Sequence, residues 1–205
     1  MSFFTEYWHL LCEGLSDNKN IAVLGGSFKL PHKGHYAKIK HYSDLVGQDG
    51  NVLVFISKSS PKNERPSANE KPIPAELVKQ VFEIYCSDLP NVSFEIAEVS
   101  PIKSSCDLGD GLGDEKVTLI CGCSNKEEDL KRWNKVKDYI ESRHDNIYVV
   151  DPLTTAAPSA LEEGGAVSAA DFKNSFGDID KMITFMPDHL DNGTKVKIAK
   201  MLLAQ

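Results

Sequence analysis

Gly25-Gly26-Ser27-Phe28-Lys29-Leu30-Pro31-His32-Lys33-Gly34-His35 is the stretch around which the chain is organised. The apolar run Ile21-Ala22-Val23-Leu24 leads into it and reads as a short buried strand ending in two glycines. Beyond it, Tyr36, Ile39, Lys40 and Tyr42 fall at helical spacing. The stretch is therefore strand, tight loop, helix. Such a turn points backbone N–H groups and a helix N-terminus at one spot, which makes an anion site. His32 and His35 stand one helical turn apart and can face the same ligand.

Histidines in this setting suit phosphoryl chemistry. A nucleotidyl transfer passes through a phosphorus centre whose charge is spread over its oxygens, and catalysis is mostly positioning plus donors aimed at that charge. Imidazole N–H groups and backbone amides do this without a covalent intermediate. Gly34 would let phosphates approach the backbone closely. A glycine-rich turn with two surface histidines is the plainer reading. The glycine pair, the proline, His-x-Gly-His and the strand–helix context occur together, which favours the phosphate site.

At these residues the sequence resembles the HxGH nucleotidyltransferases, a superfamily with a cytidylyltransferase-like fold. It includes nicotinamide mononucleotide, pantetheine phosphate and FMN adenylyltransferases and the glycerol-3-phosphate cytidylyltransferases. Class I aminoacyl-tRNA synthetases carry a related motif. The resemblance implies that His32 and His35 bind the triphosphate phosphates and stabilise the transition state. It implies nucleotide-binding roles for Gly25, Gly26, Ser27, Phe28 and Gly34. Lys29 departs from the Asp or Asn that members often carry there, which puts the acceptor side of the site in question. The GG-x-FK-x-PHKGH form also resembles a type found in tailed-phage genomes, which implies a phage-encoded member working in a host cytoplasm.

The 205 residues suffice for one domain with a real core and are too few for two ordinary ones. Hydrophobic content of 41% and charged content of 26% are those of a soluble globular protein. A net charge of −7 argues against sequence-independent nucleic-acid binding but leaves room for a local basic pocket. No apolar stretch reaches membrane-spanning length, and Met1 to Glu6 lacks the basic start of a signal peptide. The five cysteines, Cys12, Cys86, Cys106, Cys121 and Cys123, are odd in number and scattered. They imply reduced thiols and a cytoplasmic location. Cys121-Gly122-Cys123 has no second Cys/His pair at zinc-like spacing, so no protein-bound metal is expected.

In chain order, Phe3, Phe4, Tyr7, Trp8, Leu11 and Leu15 predict an amphipathic helix within residues 1–18. It is expected to pack on a nucleotidyltransferase domain spanning 19–205, or to dock a protein partner or a second copy. A helix is predicted over 34–46, and Asn51 to Ser57 reads as a strand covered on both faces. Lys58 to Pro72 reads as a proline-rich loop beside the first strand, locally basic through Lys58, Lys62, Arg65 and Lys71. Lys58 and Arg65 are candidate phosphate contacts on a flap. A helix follows Pro74, with Leu77, Val78, Val81, Phe82 and Tyr85 inward. Asn91 to Ala97 alternates like an edge strand, Ser100 to Glu115 reads as a Gly/Asp-rich loop, and Val117 to Gly122 is a buried strand. A helix capped by Asn125 runs to about Glu141, then a strand over 147–150 and a long loop from Asp151 to Gly165. Helices are expected near Ala169–Phe176 and His189–Leu203.

Strands alternating with helices predict a doubly wound, Rossmann-like parallel sheet with right-handed crossovers. Its binding crevice should lie beyond the ends of strands one and four. The resemblance adds the order 3-2-1-4-5 and implies that Gly122 and Ser124 hold base and ribose. Trp133 belongs to that region by resemblance, although an ordinary core aromatic explains it as well. Val167-Ser168-Ala169-Ala170-Asp171-Phe172-Lys173 resembles the late family motif that grips the terminal phosphates. Ser168 fits it, Ala170 replaces a Thr, and Lys173 replaces an Arg, losing the bidentate fork.

The expected function is transfer of a nucleoside monophosphate, AMP from ATP by preference, to a phosphorylated small molecule with release of pyrophosphate. Mg²⁺ would be held by the triphosphate. Use of CTP, or a non-catalytic nucleotide-binding or assembly role on the same fold, are the alternatives.

Overall fold

The computed structural model describes residues 19–28, 30–58, 73–124, 126–157 and 169–204. The predicted N-terminal helix, Lys29, Asn125, Ser168 and the flap residues 59–72 with Arg65 lie outside the described residues. The elements are β1 (Lys19–Gly26), α1 (Lys33–Val46), β2 (Asn51–Ser57), α2 (Ala75–Tyr85), β3 (Val92–Ala97), α3 (Pro101–Gly111), β4 (Val117–Gly122), α4 (Glu127–Glu141) and β5 (Ile147–Val149). Among the described residues four further helices follow: α5 (Pro152–Thr155), α6 (Ala169–Asn174), α7 (Ile179–Ile183) and α8 (Asn192–Leu203).

The strands form one sheet in the order β3-β2-β1-β4-β5, and every pairing is parallel. This is the doubly wound, Rossmann-like architecture expected from the alternation, with β3 at an edge. Alternate residues of β1 serve opposite layers. Ala22 and Leu24 pack with Ile39, Tyr42, Phe82 and Phe172 on one face. Ile21 and Val23 pack with Leu108, Trp133, Val136 and Ile140 on the other. Helices cover both faces, so the central strands are continuously apolar.

Ser100 to Glu115 is not a loop. Pro101–Gly111 is helical, with the Ser100 side chain accepting from the Lys103 amide and proline in the first turn. Gly109, which reads as a breaker, lets α4 approach: a Cβ there would stand 2.9 Å from Ile140 Cγ1. The predicted loop after Asp151 begins with the single turn α5, capped by the Asp151 carboxylate. The short α7 was not anticipated; Asp178 caps it. The last helix starts at Asn192 rather than His189, because Asp191 is its cap.

Candidate functional site

The β1–β4 ladder ends at Leu24↔Gly122. Beyond it the chain turns one way into the Gly25–His35 loop and the other way into Cys123 and Ser124. The absence of a Cβ at Gly122 lets the buried Leu24 side chain lie over it. Gly25 serves the layer that holds Leu108 and Trp133, the lower of the two: a Cβ would stand 2.6 Å from Pro101 Cβ, so α3 starts against the end of β1. Gly26 serves the upper one, where a Cβ would reach 3.2 Å from the Phe28 ring. Phe28 holds φ at +39°, a left-handed backbone rare for an aromatic residue. Its ring folds back edge-on to both His35 and Phe82, at centroid distances of 5.3 Å.

His32 is the N-cap of α1, and its Nδ1 accepts the Gly34 amide at 3.1 Å. A neutral His32 therefore carries its proton on Nε2. The His32 and His35 rings stack at 3.9 Å. Burial pushes His32 down to about 4. Burial lowers His35 further, the neighbouring His32 and Lys38 add to this, and the Leu30 backbone counters a smaller part. Both rings are neutral near pH 7, so they act as hydrogen-bonding groups rather than standing cations. His35 Nδ1 is buried and meets no hydrogen-bond partner among the described residues.

The first turn of α1 is more closed than a bare helix N-terminus. The Lys33 amide donates to the Phe185 carbonyl at 2.8 Å, and the Gly34 amide is taken by His32. Tyr85 donates to the Pro31 carbonyl at 3.2 Å, fixing the loop from α2. Phe185 stacks on Phe172 of α6 at 5.4 Å, so the late helix is tied to the histidine turn through this capping segment. Tyr36 reinforces the tie: its hydroxyl donates to Asp88 at 2.6 Å, and His189 lies over its ring at 4.5 Å. Phe185, Tyr85, Asp88 and His189 have no local sequence signature; each is 50 or more residues away from the motif residue it holds.

The structure thus brings Gly25, Gly26, Ser27, Phe28, His32, Gly34 and His35 together at the end of β1. Ser124 joins them across the crevice, bridged to Ala157. Its amide and hydroxyl both face Asp129 Oδ2, at 2.8 and 3.0 Å. Lys173 is exposed on α6. Lys58 pairs with Glu98 at 2.7 Å, an exposed pair of small worth that a phosphate could displace. Trp133 is 1% exposed and packs inside the lower core. Among the described residues no group of three or more His, Cys, Asp or Glu could hold a metal ion, and no helix is long and apolar enough to cross a membrane.

Residues 23–164 match the family model described as cytidylyltransferase-like. The chain belongs to the cytidylyltransferase-like family. It is a nucleotidyltransferase in kind, with the five-stranded sheet of that HUP-type fold. The match begins inside β1 and so takes in the whole histidine loop, β4 and Ser124. It stops before α6, where Lys173 stands. No curated protein matches the chain.

The neutral state of His32 has a consequence for stability. Its folded pKa, about 4, lies below the ordinary value of 6.5. The contribution is therefore fully present above pH 6.5 and is lost as pH falls towards 4, because the unfolded chain takes up the proton first. The full loss is about 3 kcal/mol. Urea midpoints measured between pH 7.5 and 4.5 should fall more steeply for wild type than for His32→Asn, which keeps a capping oxygen for the Gly34 amide. Parallel curves would assign the titration to another group.

Proposed function

We propose that this chain transfers AMP from ATP to a phosphorylated small-molecule acceptor and releases pyrophosphate. A nicotinamide nucleotide is the first acceptor to try. The observation that carries the reading is the stacked, neutral His32–His35 pair at the mouth between β1 and β4. Nε2–H of His32 is a donor for phosphate oxygens, and His35 adds a second ring beside it. Held in place before the reaction, such donors favour the charge that grows on the phosphoryl oxygens. Mg²⁺ enters with the triphosphate, whose oxygens suit a hard cation that the described side chains do not cage. The double-glycine Gly25-Gly26-Ser27-Phe28 form supports ATP over CTP by resemblance to the adenylyltransferases. Ser168 and Lys173 would meet the terminal phosphates, with Lys29, Lys58 and Arg65 serving the acceptor or phosphates more weakly.

A non-catalytic, nucleotide-binding role is favoured by one feature, the altered late motif with Ala170 and Lys173. A single experiment separates the readings. Purified protein is titrated with ATP and CTP, and pyrophosphate release is followed across phosphorylated acceptors. ATP-dependent release with one acceptor supports the proposal. Release from CTP alone replaces the donor. Tight binding without release from any acceptor supports the non-catalytic reading.

A further inference from the structure

His35, Lys38 and Tyr42 occupy one face of α1, at i, i+3 and i+7. Contacts place both ends of that stripe. At one end the His35 ring stacks on His32 at 3.9 Å. At the other, the buried Tyr42 hydroxyl lies 3.0 Å from the Cys123 carbonyl and 2.8 Å from the Thr155 carbonyl, and donates to one or the other. Cys123 follows β4 and Thr155 ends α5, so Tyr42 stands against the far wall of the crevice. Lys38 lies between the two, half-buried. Its charge reaches both walls: it adds to the depression that burial and His32 impose on His35, and it opposes the rise that burial imposes on the Cys123 thiol.

The charges around it make a cation there useful. Asp129 and Asp151 act on the same Cys123 thiol in the opposite sense. Both carboxylates are anchored, Asp129 by the Ser124 amide and hydroxyl and Asp151 by the Leu153 amide. A phosphate entering between the histidines and the end of β4 meets two fixed negative groups, and the histidines are neutral. Something positive must offset them.

We propose that Lys38 binds the phosphate nearest the nucleoside, spanning the gap between the histidine pair and the strand-four loop. The assignment rests on the nucleotidyltransferase reading and adds to it a residue outside the histidine motif. Lys38 suits the role as a compact charge on a flexible stem that can follow the phosphate as it changes geometry.

The test measures binding of adenosine, AMP and the non-hydrolysable α,β-methylene-ATP, and of the same series with cytosine, to wild type, Lys38→Met and Lys38→Arg. Lys38→Met should lose roughly ten- to a hundredfold in affinity for the phosphorylated ligands, the worth of a charge-assisted hydrogen bond. Adenosine or cytidine should bind as before, and Lys38→Arg should recover most of the loss. Thermal unfolding of the variants should match wild type, which separates a binding role from a packing one. Equal losses for nucleoside and nucleotide, or unchanged AMP and methylene-ATP binding in Lys38→Met, would overturn the assignment while leaving the nucleotidyltransferase reading intact. Wild-type protein that binds no member of either series would overturn both.

Discussion

His35→Ala is expected to lower the rate of pyrophosphate release by about 10²–10³, the cost of removing one preorganised donor from a phosphoryl-transfer site. The fold should survive the change. His35 sits in the first turn of α1, where alanine is an excellent helix former; its Nδ1 is unpartnered, and what the variant gives up is the ring's hydrogen bond to the Leu30 backbone. The variant should unfold at a denaturant concentration close to that of wild type, because relief of a buried unpartnered nitrogen offsets the lost Leu30 contact. Steady-state turnover with the acceptor identified by screening, beside urea denaturation, measures both halves. Wild-type turnover in His35→Ala would remove His35 from the chemistry. A large stability loss would mean that its edge contacts with Phe28 and Phe82 are its main role.

Trp133→Ala should behave the other way round. The ring is 1% exposed and packs in the lower layer with Val136, Ile140 and Cys121. Emptying that volume should cost about 3–5 kcal/mol of stability, since neighbours collapse only partly into the space. Nucleotide affinity, measured well below the melting temperature, should stay close to wild type. A selective loss of nucleotide binding at unchanged stability would restore Trp133 to the base-binding region that the family resemblance implies.

The failures of local reading have physical causes in particular residues. Ser100 to Glu115 carries glycines and aspartates that look like loop chemistry. It folds as a helix because Ser100 caps it, and because Gly109 is where Ile140 of α4 comes close. A glycine needed for close approach and a glycine that breaks a helix are the same letter. The histidine turn shows the converse. The sequence implies open amides at the helix N-terminus, yet Phe185 and the His32 ring already occupy two of them. The cap from Phe185 comes from more than 150 residues downstream of Lys33, and nothing near Lys33 announces it.

What the sequence determined by itself is local and periodic. Continuous apolar runs at Ile21, Val52 and Val117 specify buried parallel strands, because only a sheet covered on both faces needs them. Alternation of strand and helix then leaves one handedness and one crevice, and the Gly-Gly…His-x-Gly-His loop must sit at its edge. What only the tertiary structure decided is the state of the groups in that crevice. Burial, not residue type, pushes His32 and His35 well below the ordinary histidine range and so holds them neutral even in mild acid. Packing sends Trp133 into the core, and an exposed ion pair engages Lys58. Lys38 gains its place between two walls only because Tyr42 reaches Cys123 from the same helix face. Periodicity is written along the chain, whereas desolvation and charge depend on neighbours that folding brings from far away.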